Sequence, residues 1–65
     1  MATKRGYYRE ELKRAQDNLE MCLTHISRVI DAYKDDHPDI ADHALQVGDM
    51  IVYLIQAIET IRQEI

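Results

Sequence analysis

The chain has 65 residues, with eight Lys and Arg against twelve Asp and Glu, one cysteine and a formal net charge of -4. A chain this short rarely buries enough apolar surface to offset its conformational entropy without a disulfide, a metal or a partner, and Cys22, standing alone, cannot bridge within the chain. The acidic balance argues against indiscriminate nucleic-acid binding, the start MATKRGYYREEL lacks the apolar stretch of a secretory signal, and the unbroken apolar run Met50 to Ile55 is far below the roughly 20 residues of a bilayer span.

One soluble domain covering residues 1–65 is therefore expected, in a reduced, cytoplasmic setting and away from membranes. Its N-terminal segment, TKRGYYREELKR, interleaves Tyr7 and Tyr8 with five of the eight basic residues: Lys4, Arg5, Arg9, Lys13 and Arg14. Tyrosine stacking and arginine on phosphate would make this an RNA-contacting patch. Glu10 and Glu11 dilute it, however, and a charged helix start is the preferred account.

From there a first helix is expected over about residues 7–34. Its apolar positions, Tyr8, Leu12, Ala15, Leu19, Cys22, Ile26, Val29 and Tyr33, step by four and three in turn, which is the a/d seam of a heptad pattern. Cys22 on that seam reads as a buried core thiol rather than a nucleophile, because reactive thiols need exposed, electropositive surroundings. His25 falls on a more polar flank and reads as a surface residue. With no phosphate-binding glycine loop, CxxC or HExxH in the chain, neither enzyme activity nor a cofactor is expected.

A turn is expected at about residues 35–37. Pro38 drives His37 out of the helical region and suits the first turn of a new helix, where Asp39 and Asp42 favour the helix dipole. Asp31, Asp35, Asp36, Asp39 and Asp42 make this end acidic, opposite a basic N-terminus. Asp39 and His43, four apart, with His37 or Asp36 as a third ligand, are the one set of metal-ligand types that cluster. A solvated turn whose aspartates cap the second helix is preferred to a metal site.

The second helix is expected over about residues 38–64, with a matching seam at Ile40, Ala44, Val47, Ile51, Leu54, Ile58, Ile61 and Ile65. Both seams span about 40 Å at 1.5 Å per residue. Folding back at the turn pairs residues whose numbers sum to about 73, so Leu19 meets Leu54 and Ala15 meets Ile58. The fold class is all-α, an antiparallel two-helix hairpin with a coiled-coil-like seam.

Apolar residues remain outside that seam. Ala41, Leu45, Gly48, Val52 and Ile55 form a second stripe, joined from the first helix by Leu23 and Ile30, and this face is expected to meet a second copy. Two hairpins so joined make a four-helix bundle. Gly48, costly inside a helix by about 1 kcal/mol relative to alanine, suggests close helix packing there. Tyr7, Met21, Met50 and Tyr53, off the seam, are candidate contacts for another protein.

In architecture alone, such a hairpin resembles the plasmid copy-number regulators that bind paired RNA loops, and small secretion co-chaperones are helical hairpins too. The leading expectation is a non-enzymatic regulator or adaptor acting through protein contacts. RNA binding by the basic N-terminal end is the second, and a chaperone whose apolar face docks a partner helix is the third.

Overall fold

The computed structural model describes residues 4–65. Two helices, α1 Lys4–Tyr33 and α2 Pro38–Glu64, pack side by side in opposite directions as an elongated hairpin, 54 × 17 × 9 Å across its Cα atoms. α1 begins three residues before the expected start and ends one residue before the expected end; α2 has the expected bounds.

Backbone hydrogen bonding explains the turn. The Lys34 N–H donates to the Ile30 carbonyl at 2.9 Å and the His37 N–H to the Tyr33 carbonyl at 2.8 Å, which closes off α1. His37 then takes the N-cap position with a non-helical backbone, and its carbonyl accepts from the Ile40 and Ala41 amides. Pro38 fills the first helical position, where a missing N–H costs nothing. The cap makes no side-chain hydrogen bond, contrary to the expectation that aspartates cap α2. Asp39 instead contributes through the dipole, and Arg62 does the same in the last turn.

α1 is arranged the other way. Its first turn holds no acidic residue and its last turn no basic one, so Lys4 and Arg5 sit at the positive end of its dipole. Its surface ion pairs, Lys13 with Asp17 at 3.3 Å and Arg14 with Glu11 at 3.1 Å, lie within the helix and contribute about 0 to 1 kcal/mol each.

The register agrees with the sequence. A Cβ built on Gly48 would stand 3.5 Å from Leu23 Cδ1 and 3.8 Å from Ile26 Cγ2, so Gly48 lies level with the stretch between them. What differs is the rotation of each helix. Only one column of each expected seam faces the other helix: Leu12, Leu19 and Ile26 on α1, and Ala44, Ile51, Ile58 and Ile65 on α2. The column beside it completes the contact: Gln16, Leu23 and Ile30 on α1, and Ala41, Gly48, Ile55 and Arg62 on α2.

The physical reason is backbone proximity. Apolar residues cover more than one column of both helices, so either half of the stripe could form the seam. Placing Ala41, Ala44 and Gly48 at the contact line lets α2 approach α1 closely, and the bulkier column turns aside. Ala41, Gly48, Leu23, Ile30 and Ile55, expected on an outer face for a second copy, are thus buried or half-buried inside the hairpin. Leu45 and Val52 of that set stay open.

Candidate protein–protein interface

The displaced column creates the main surface feature. Tyr8, Cys22 and Val29 of α1, expected in the seam, are exposed, and so is Tyr33, which ends the contact column of Leu12, Leu19 and Ile26 beside the turn. So are Ile40, Val47, Leu54 and Ile61 of α2. In an antiparallel pair, equivalent heptad columns of the two helices lie on the same side, so these residues converge on one broad flank. Apart from Cys22, each is between 38 and 48 % exposed, half turned toward the neighbouring helix and half toward water. Cys22 is thereby corrected from a core thiol to a surface one.

The inside is correspondingly poor. Among the described residues, the buried apolar side chains are Ala41, Ala44 and Ile51, and no side chain falls below 2 % exposure. The opposite flank carries Leu45 and Val52 of α2 beside Lys13, Glu20 and Ser27 of α1, and is the more polar of the two.

At the open end, a polar cluster that the apolar pattern concealed ties the helices together. Gln16, 7 % exposed, donates from Nε2 to the Ile55 carbonyl and to Glu59 Oε2, both at 3.1 Å. Arg62 donates to Gln16 Oε1 and, at 3.1 Å, to the same Glu59 oxygen. Each buried polar atom so paired avoids a desolvation loss of about 1–3 kcal/mol, and the geometry is satisfied in one register only. Arg62 Nε is buried without a partner. A sequence signal did exist: Gln16 continues Leu23 and Ile30 at steps of seven, and Arg62 continues Ala41, Gly48 and Ile55.

The other candidates are dispersed. Tyr7, Met21, Met50 and Tyr53 are all more than half exposed, and Tyr53 edges a shallow depression with Gln56, Ala57, Thr60 and Ile61. Tyr7 packs edge-on against Tyr8, ring centroids 5.0 Å apart. Of the basic set, Lys13 and Arg14 are engaged by carboxylates on α1, while Lys4, Arg5 and Arg9 make no ion pair among the described residues. His37, Asp39 and His43 are exposed, His37 with its ring 5.8 Å from that of Tyr33. No group of three or more His, Cys, Asp or Glu among the described residues is gathered to hold a metal.

α2 is also long and apolar enough to cross a membrane by length and composition, and little of that stretch is buried in the hairpin. It is not apolar all round, however. Asp42, Gln46, Asp49, Gln56 and Thr60 form an exposed polar stripe along it. No protein-family model, curated protein or solved structure matches the chain.

Proposed function

We propose that this chain is a non-enzymatic interaction protein, a small regulator or adaptor of the cytoplasm, which self-associates as a four-helix bundle by burying its apolar flank against a second copy. Tyr7, Met21 and Tyr53, on the outside of such a bundle, are the candidate contacts with a further protein, while Met50, on the same face of α2 as Val47 and Leu54, goes to the self-association surface. The observation that carries this reading is the mismatch between a thin interior and a long open row of apolar side chains. Large contiguous apolar surfaces mark contact sites, and helices of a bundle carry a stripe wide enough to face two neighbours at once.

The dimensions support a partner of equal size. The broad face, 54 × 17 Å across its Cα atoms, is large enough to hold the roughly 800 Å² that each partner contributes to a standard interface. The polar stripe on α2 favours a bundle over a membrane, since an aspartate at mid-bilayer costs roughly 2.5–3.5 kcal/mol.

Sedimentation velocity over a range of concentrations tests the proposal. The expected result is a species of twice the chain mass; a folded monomer at every concentration refutes self-association and leaves the flank to a helix of another protein, as in a chaperone. Gel shifts with structured RNA at two salt concentrations test the nucleic-acid alternative, for which salt-sensitive retention would be the signature.

A further inference from the structure

Granting the self-association proposed above, the structure also points to how the two copies are arranged. We propose that they pack flank to flank and antiparallel, α1 along the partner's α1 and α2 along the partner's α2, with Cys22 at the two-fold axis.

Two registers agree on this, the centre of the α2 column and the pairing within the hairpin. A two-fold axis across the flank must map each apolar column onto itself. On α2 the column Ile40, Val47, Leu54, Ile61 has its centre between Val47 and Leu54, about level with Met50 and Ile51. Within the hairpin, Gly48 lies between Leu23 and Ile26, which sets that centre opposite Cys22 of α1. Cys22 is itself a member of the α1 column, with Ala15 and Val29 one heptad to either side. The axis therefore sets Cys22 against the partner's Cys22, and Val29, a larger residue, against the partner's Ala15, a smaller one. On α2, Val47 meets the partner's Leu54 and Ile40 the partner's Ile61. Tyr8, at the end of the α1 column, lies level with the partner's turn rather than with an apolar residue.

Charge selects this arrangement over the parallel one. Between Asp31 and Asp42 there are five aspartates and one lysine, a formal charge of -4 at the turn. From Lys4 to Arg14 there are five basic residues and two glutamates, and Glu59, Arg62 and Glu64 of α2 lie at the same end, which gives a formal charge of +2 there. Parallel hairpins would stack two acidic turns within a Debye length of about 8–10 Å. Antiparallel hairpins set each acidic turn beside the partner's basic end. The same pairing answers the unfavourable charging of α1, whose basic first turn then lies level with the partner's aspartates.

The native cysteine reports the arrangement without any substitution. Helix axes about 8–10 Å apart bring the two Cys22 Cα atoms within the roughly 4.4–6.8 Å that a disulfide accepts. In the parallel bundle α1 lies on the partner's α2, and the two cysteines sit across the diagonal, about 14 Å apart, too far to join. The experiment is mild oxidation with diamide at concentrations where sedimentation shows a dimer, followed by non-reducing electrophoresis.

Near-complete conversion to a disulfide-linked dimer with unchanged helix content is expected. A sedimenting dimer whose Cys22 stays unlinked overturns the antiparallel arrangement alone, whereas a monomer overturns the self-association beneath it. A second chain, Cys22→Ser with Asp36→Cys, reads the opposite geometry: it should resist cross-linking, and efficient turn-to-turn linkage would establish parallel packing and refute the proposal.

Discussion

Gly48 offers the sharpest test of how closely the two helices approach. A methyl group placed there would stand 3.5 Å from Leu23 Cδ1 and 3.8 Å from Ile26 Cγ2, ordinary van der Waals contact on both sides. Gly48→Ala therefore meets no clash. It removes the helix-interior penalty of glycine, about 1 kcal/mol, and fills space beside two apolar side chains. A gain of about 1 kcal/mol should raise Tm by roughly 4–8 °C in a domain of this size. Gly48→Leu carries three more carbons into a gap already filled by Leu23 and Ile26 and should cost roughly 1–3 kcal/mol. Thermal unfolding followed by circular dichroism, at one fixed chain concentration because association shifts Tm, gives both values. Should Gly48→Ala lower Tm, the backbones approach more tightly than these distances allow, and the close packing first suggested by a helical glycine would exclude even a methyl.

Gln16→Ala removes two donated bonds and one accepted bond at the open end and should cost about 1–3 kcal/mol by chemical denaturation. Combined with Arg62→Ala in a double-mutant cycle, it should show coupling of at least about 0.5 kcal/mol; strict additivity would mean the two side chains act separately. Val47→Asp and Leu54→Asp, on the apolar flank, should each convert the assembly to monomer in sedimentation. Leu45→Asp, on the more polar flank, should leave it associated, and the reverse ranking would move the interface to the opposite face. Lys13→Glu trades a surface ion pair with Asp17 for a like-charge pair and should change stability by no more than about 1 kcal/mol in the same denaturation assay.

Much of the hairpin was legible along the chain. Pro38 after His37 and the absence of other breakers marked one turn between two long helices, because proline acts through local sterics that no tertiary contact needs to supply. The steps of four and three marked helical apolar stripes for the same reason: side-chain direction follows from backbone geometry. The register near a sum of 73 came from the turn position and was kept.

Rotation was another matter. Three adjacent heptad columns are apolar on α2, and periodicity weights them alike, so it could not say which two would face inward. Packing decided, by setting Ala41, Ala44 and Gly48 at the contact line and leaving Cys22, Val47 and Leu54 on the flank. Gln16 and Arg62 escaped notice because a polar residue on an apolar column looks like an interruption until its hydrogen-bond partner, 46 residues away, is brought alongside. Local propensity thus determined what the elements are and where they turn, while close approach of two backbones, which depends on the sizes of side chains distant in sequence, determined which surface is spent inside and which remains to be covered.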